Sequence, residues 1–308
     1  MTLDTSKAIA TRNDLTAIFR THALQAQPYY PRVCTVAPSS TASEDVGLPG
    51  AVPQIREWLG GRAQNRLRGA RFTLTHGHYE GTLEIDRTDW EDDRMGMHRI
   101  GAAQLGQRAA LHPDKLLVDT IEAGAATACW DGQFFYDTDH SWGASGTQSN
   151  DLTYDCVAAA TPTVAEFKAA LRQAVDAIIA FVDDQGENFY QPTVDRLSSI
   201  EVNVPTALRS VAIDATEALF VGGGDTNVRI DQYKVRCIPR LSSGVKFWVH
   251  LTSDIIRPYI FYGRTPIREE IEGLDSIKEK YILMMTEARY SLGYLAWWNS
   301  VLTELTTA

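Results

Sequence analysis

Residues 97–124 read MHRIGAAQLGQRAALHPDKLLVDTIEAG. Ile100, Ala103, Gln107 and Leu111 recur at helical spacing, and Leu117 and Ile121 carry the period on. At 1.5 Å per residue such a helix is roughly 40 Å long. Pro113 interrupts it. A proline inside a helix removes a hydrogen bond and presses on the preceding turn, so a kink or break is predicted near His112, with Pro113 placed to open a second helix. Gly124 is a suitable stop.

On the N-terminal side, Ser6 to Gln25 is loosely periodic through Ile9, Leu15, Ile18, Phe19 and Leu24 and reads as a helix. Residues 27–50 carry Pro28, Pro31, Pro38 and Pro49 with a Ser-Ser-Thr run, and read as an arm that needs another surface to lie on. Residues 51–95 split by charge. Arg56, Arg62, Arg66, Arg68 and Arg71 fall in one half; Glu84, Asp86, Asp89, Glu91, Asp92 and Asp93 fall in the other. Phe72, Leu74, His76 and His78 alternate between them, followed by Leu83 and Ile85, which predicts strand–turn–strand with Gly77 and Gly81 as bend points. A long hairpin this poor in apolar residues is marginal alone and calls for a neighbour. A solvated face is the plainer reading of the same charges.

On the C-terminal side, residues 125–160 read as loop-rich. Thr163 to Val182 carries one apolar stripe (Val164, Phe167, Leu171, Val175, Ile178, Val182) behind a Thr163–Glu166 capping box. Ile200–Val204 reads as a short buried strand and Leu208–Phe220 as a helix ended by Gly222-Gly223-Gly224. Strands are predicted at Tyr233–Ile238, Val245–Leu251, Ile255–Tyr262 and Tyr281–Glu287. Helices and strands do not alternate as in a doubly wound sheet, so the class is α+β.

The chain has 308 residues, 44% of them apolar, and a net charge of −10. That allows a sizeable core and excludes a protein built to coat nucleic acid by phosphate neutralisation. Met1 to Phe19 has no signal-type apolar core, and no run approaches the roughly 18 apolar residues of a membrane span, so a cytoplasmic protein without membrane contact is expected. Cys34, Cys129, Cys156 and Cys237 are scattered and read as buried free thiols; Cys129 and Cys156 carry no sequence sign of a Cys/His pair.

Asp131, Asp137, Asp139 and His140 form the first cluster to weigh as a metal or acid–base site, since carboxylates with an imidazole bind divalent cations. A satisfied polar turn is the commoner use of Asp and Gly. His76-Gly-His78 would present two imidazoles on one strand face without a third ligand. Gly222-Gly223-Gly224-Asp225 lacks the Gly-Lys-Ser/Thr of a phosphate loop, and no Gly-x-Ser-x-Gly elbow occurs. Tyr290, Tyr294, Trp297 and Trp298 read as packing aromatics before they read as a pocket. The residues thus point to no catalytic, cofactor or metal site.

Four collinear stretches go further. They are Pro53-Gln-Ile-Arg-Glu-Trp-Leu-Gly-Gly-Arg62; Tyr79-Glu-Gly-Thr-Leu-Glu-Ile85 with Thr88-Asp-Trp-Glu-Asp-Asp-Arg-Met-Gly96; His112-Pro-Asp-Lys-Leu-Leu117 through Cys129-Trp-Asp-Gly-Gln-Phe-Phe-Tyr-Asp-Thr-Asp-His140; and Ala288-Arg289, Gly293-Tyr294 and Trp297. Together with Val204-Pro205 and its following helix they resemble the major head subunit of Mu-type phages and prophages, the gpT family, over about residues 15–300. The resemblance implies the Hong Kong 97-type capsid fold. Its parts would be an N-terminal helix and arm (1–50), an extended hairpin loop (51–95), a peripheral domain with the spine helix (96–162), an axial domain (163–245) and a return to the peripheral domain (246–308).

The resemblance also implies a non-enzymatic major capsid protein. It would assemble in the host cytoplasm as pentamers and hexamers into the icosahedral head of a tailed phage. The head would enclose double-stranded DNA without sequence specificity, with portal, scaffolding or decoration proteins as further partners and no membrane or cofactor. Trp58, Arg62, Arg66, Arg68, Arg71, Glu84, Asp86 and Trp90 are the expected inter-subunit residues, and Pro113 the expected kink. The alternatives are an encapsulin-like nanocompartment shell and, more remotely, a metal-dependent hydrolase built on Asp131, Asp137, Asp139 and His140.

Overall fold

The computed structural model of the protein describes residues 5–47, 71–189, 199–216, 233–252, 255–274 and 279–307. In chain order the elements are α1 (Thr5–Gln25), α2 (Tyr30–Val33), β1 (Cys34–Pro38), β2 (Ser43–Gly47), β3 (Arg71–Thr75), β4 (Gly77–Asp86), α3 (Arg87–Glu91), α4 (Gly96–Ala123), β5 (His140–Ser141), β6 (Thr147–Gln148), β7 (Asp151–Cys156) and α5 (Val164–Ala180). Then follow β8 (Ile200–Val204), α6 (Arg209–Thr216), β9 (Lys234–Cys237), β10 (Lys246–Leu251), β11 (Tyr259–Glu272), β12 (Tyr281–Tyr294) and β13 (Ser300–Thr307).

Two sheets organise the chain. The first is ordered β1-β11-β12-β4, the second β7-β13-β10-β8-β9. β11 and β12 form a 14-residue antiparallel pair, with β4 antiparallel to β12 and β1 parallel to the first five residues of β11. The sequence reading ends β11 and β12 too early. The missed half of β11, residues 263–272, sets Arg264, Arg268, Glu269, Glu270 and Glu272 among Ile267 and Ile271, and a half-charged strand is hard to tell from a loop; the missed end of β12, residues 288–294, carries no such run. β7 and β13 escape that reading as well. β10 and β13 join β8 and β9 in one sheet, so the expected boundary at 245/246 runs through it.

α4 is one unbroken helix from Gly96 to Ala123 with Pro113 inside and buried, so no second helix opens at Pro113. Its N-terminal half is clasped between α1 and the first sheet, and glycine makes the approach close. A Cβ at Gly106 would stand 2.3 Å from the Phe19 carbonyl oxygen, and one at Gly101 3.1 Å from Leu83. A Cβ at Gly81, in mid-strand and not at a bend, would meet Leu105 at 3.3 Å. Leu15, Phe19, Ile85, Met284 and Ala102 close the core between these elements. A larger core lies around the second sheet, where α5 sets Phe167 against Phe247 at 4.9 Å between ring centres. The Thr163–Glu166 capping box forms in full, with both reciprocal bonds present.

The 51–95 hairpin takes a different form. β3 pairs with β2, not with β4, in the register Ser43↔Thr75 to Gly47↔Arg71. β4 belongs to the first sheet, and the acidic run beyond it forms α3, whose N-terminus is capped by Asp86 accepting from the Thr88 amide at 2.9 Å. The acidic half thus belongs to β4 and α3, while Arg56, Arg62, Arg66 and Arg68 lie outside the described residues. Residues 27–47 are less irregular than their prolines suggest, since β1 and β2 both find strand partners.

Replacing Gly106 with alanine should destabilise the subunit by about 1–3 kcal/mol through overpacking, although alanine favours an ordinary helix interior by about 1 kcal/mol. Urea unfolding of the dissociated subunit measures it, and a gain in stability would show that α1 does not press on α4 there.

Candidate assembly surfaces

The Cys129–His140 segment is a closed polar knot. Asp131 accepts from the Cys129 thiol at 2.9 Å, from the Gln133 amide at 3.2 Å and from His140 Nδ1 at 2.7 Å. Burial pushes the Asp131 carboxyl up, but the hydrogen bonds from His140 and Cys129 outweigh it and hold the group below its usual range. Burial, then the Asp131 charge, pushes the Cys129 thiol up, so it stays protonated and is no nucleophile. His140 is fully buried and stacked on Trp297 at 4.1 Å. Asp137 accepts from the amides of Phe134 and Thr138, while exposed Asp139 takes no part in the pair. No group of three or more His, Cys, Asp or Glu side chains suited to a metal occurs among the described residues.

Beside it, Asn150 accepts from the Asp137 amide and donates to the Phe135, Trp297 and Ser300 carbonyls. Tyr136, Tyr259, Ser300 and His250 continue the network at 2.6–2.9 Å. Trp297, Trp298, Tyr290 and Tyr294 are all buried, as packing aromatics. All four cysteines are free thiols, and Cys237 is only half buried.

A second polar junction joins the arm to both layers. Asp114 of α4 accepts from the Tyr29 and Tyr30 amides at 2.7–2.9 Å, which holds the start of α2. Glu201 of β8 is 1% exposed and lies 2.7 Å from Arg32 and 3.6 Å from Arg236. Neither arginine is aligned as a hydrogen-bond donor to it, so charge does the holding. The Arg236 guanidinium covers the Tyr29 ring at 4.4 Å, and the Tyr29 hydroxyl donates to Asn203 at 3.0 Å. Asp119 of α4 pairs with Arg240 at 2.7 Å, and Glu122 accepts from the Ser242 amide. No sequence signal marks Asp114 or Glu201, because their partners lie at least 84 positions from the first and 35 and 169 positions from the second.

The base of the β2–β3 ribbon is pinned by His76, in the break between β3 and β4. Its ring nitrogens meet Ser39 Oγ at 2.7 Å and Ser291 Oγ at 3.0 Å, and Ser39 donates to Glu44 at 2.6 Å. His78 is exposed and meets Glu287 at 3.3 Å, so the two imidazoles do not share a site.

Of the expected inter-subunit residues, Trp58, Arg62, Arg66 and Arg68 and the Arg71 side chain lie outside the described residues, as does Gly222–Asp225. Trp90 is not free for a neighbour. It is 5% exposed, donates to Thr11 at 2.9 Å and is covered by Lys7 and Arg87, because α3 turns it under α1. Asp86 is spent as a helix cap, while Glu84 is exposed on β4.

A long helix laid on an extended sheet, a second sheet layered with two helices, and a two-stranded ribbon packed beside them make up the Hong Kong 97-type capsid fold. The procapsid protein of bacteriophage JBD30 superposes with a TM-score of 0.58 at 21% identity, over 99% of this chain and 77% of that one. The model of the Mu-like prophage major head subunit gpT matches residues 9–161, and that half of the chain belongs to the gpT family. The Mu-like prophage FluMu major head subunit of Haemophilus influenzae is 34% identical over 132 residues, 43% of each chain. The major capsid protein of Escherichia phage Mu is 33% identical over 111 residues, 36% of each. The matched stretches thus span less than half the length of these two relatives.

Two outcomes follow. Glu201→Ala leaves Arg32 and Arg236 facing each other without a counter-charge. It should cost about 3 kcal/mol in urea unfolding, the low end for a broken buried pair because both arginines are partly exposed. A loss below about 1 kcal/mol would mean the junction is water-screened. His250 is held neutral by burial, its pKa lowered to about 3. The unfolded chain takes up that proton near pH 6.5, so stability is full above pH 6.5 and falls as pH drops toward 3. His250→Gln should make that fall shallower by about 1 kcal/mol per pH unit; parallel stability curves for the two proteins would refute the assignment.

Proposed function

We propose that this chain is the major capsid protein of a tailed phage or prophage. Copies assemble as pentamers and hexamers into an icosahedral shell that encloses double-stranded DNA. The observation that carries this reading is the β2–β3 ribbon. The ribbon sets Val46, Phe72 and Leu74 against the main core, and 23 residues, 48–70, join its two strands in sequence. That span carries Arg56, Arg62, Arg66 and Arg68 against the single acid Glu57, in a chain whose net charge is −10. A surface of a neighbouring subunit is what such a segment needs. The gpT match over residues 9–161 and the capsid fold support the same reading.

In this reading the first sheet with α1 and α4 is the peripheral domain, and the second sheet with α5 and α6 is the axial domain. The extended loop is centred on 43–75. The −10 charge suits a container that encloses DNA without binding it tightly. Portal, scaffolding or decoration proteins are its other partners, assembly takes place in the host cytoplasm, and the protein carries no catalytic activity. Pro113 leaves the Ala109 carbonyl without its helical donor and is the weak point at which α4 bends when the shell changes size.

The chain expressed alone should give closed shells or ring-shaped capsomers in negative-stain images and sediment as particles far larger than 34.2 kDa. A monodisperse monomer under every salt and concentration tried would sink the proposal. Particles filled with host enzyme, rather than nuclease-protected DNA when made beside a packaging apparatus, would turn it into a nanocompartment shell.

A further inference from the structure

His76 stands between two strands that belong to different sheets. β3, before it, pairs with β2 in the ribbon, and β4, after it, pairs with β12 in the first sheet. Its backbone amide continues the ribbon ladder by donating to the Ala42 carbonyl at 3.2 Å. Its ring reaches the other way. It meets Ser291 on β12, and it meets Ser39, whose own amide donates to the Gly263 carbonyl of β11 at 2.9 Å. The residue is 6% exposed.

The direction of these bonds is fixed from one end. Hydrogen bonds from Ser39 and Thr41 hold the Glu44 carboxyl below its usual range, so it is ionised and can only accept, and Ser39 Oγ donates to it at 2.6 Å. With its only hydrogen given away, Ser39 Oγ accepts from the ring at 2.7 Å and from the Thr41 amide at 3.3 Å. His76 Nε2 therefore carries the hydrogen. In a neutral imidazole the other nitrogen is then bare, so Nδ1 accepts from the Ser291 hydroxyl at 3.0 Å. Ser291 is 5% exposed, and its hydroxyl has no other hydrogen-bond partner among the described residues. A second proton on the ring would turn that bond round and leave the Ser291 hydrogen buried without an acceptor, which is costly.

From this chain of bonds we infer that His76 is a proton-operated latch between the ribbon and the first sheet. Neutral, it fastens the base of β2–β3 to Ser39 and Ser291; protonated, it lets that base go. The surroundings favour the neutral ring on balance. Burial opposes the charge most, Glu44 of β2 favours it, Arg264 of β11 and Arg289 of β12 oppose it, and together they hold His76 below its ordinary value. Tyr262 of β11 stands edge-on at 6.5 Å, and burial pushes its phenol up, so it stays neutral. A freed ring takes up its proton near pH 6.5 and the latched ring only at lower pH. The latch is thus at full strength above pH 6.5 and weakens as the pH falls below it, by up to about tenfold per pH unit.

Hydrogen–deuterium exchange of the full chain tests this, read as protection factors so that the intrinsic pH dependence of exchange is removed. Between about pH 7.5 and 5.5 the amides of residues 42–47 and 72–76 should lose protection by about threefold or more, while those of α5 and β10 keep theirs. His76→Gln keeps a donor and an acceptor but does not titrate, so its ribbon should show no such fall. Ser291→Ala leaves the imidazole in place and removes the hydroxyl that bonds its neutral form. Its ribbon protection at pH 7.5 should drop, and the further fall on acidification should shrink. Wild-type protection that does not change over this range overturns the latch. So does a fall of equal size in His76→Gln, which would assign the titration to another group. A Ser291→Ala profile identical to that of the wild type overturns it as well, because the bond to Nδ1 would then hold nothing.

Discussion

The close approach of α4 to α1 and to the first sheet is the constraint on which the rest of the architecture depends. Gly106 lets the Phe19 backbone sit where a side chain would stand, and Gly81 and Gly101 do the same for Leu105 and Leu83. Contact at that distance, with Phe19 and Ile85 fully enclosed, turns two helices and a four-stranded sheet into one stiff plate. A stiff plate lets a ribbon at its edge be aimed. His76 fixes the angle, because its two nitrogens are tied to the sheet through Ser291 and to the end of β1 through Ser39.

The second layer is fastened to the plate by charge as much as by apolar packing. Asp114, Asp119 and Glu122 project from the C-terminal half of α4 and reach the arm, Arg240 and the Ser242 amide in turn. Glu201 answers from the other side with Arg32 and Arg236. Polar junctions hold geometry well but give less when they are shifted slightly than an apolar core does, because Coulomb attraction falls off more gently than packing.

Much of the fold was legible where local chemistry decides local structure. The spine helix, the Thr163–Glu166 box and the buried strand Ile200–Val204 needed only period and caps. The distal half of β11 was not legible, since Arg268, Glu269, Glu270 and Glu272 mimic a solvated loop until β12 pairs with them. Nor was the pairing of β2 with β3 across 23 residues, a choice set by the whole sheet and not by either strand. Local reading weighed the Asp131–His140 cluster as a metal site and preferred a satisfied polar turn. The acids and the imidazole do converge, but Asp131 spends itself on Cys129 and His140, and the ring is sealed against Trp297. The signal was real, and its meaning was a closed turn. Glu201 and Asp114 carried no signal at all, because a buried charge is recognised only by partners that sequence keeps far apart.

The same contrast explains why the charges of residues 51–95 mislead as a hairpin and inform as a surface. Opposite charges in adjacent strands would neutralise each other and leave nothing for a partner. Here the strand partner of β3 is β2, and the acids belong to the plate, eight or more residues along from His76. The acids thus sit on the plate, while Arg56, Arg62, Arg66 and Arg68 fall in the stretch of sequence that joins β2 to β3.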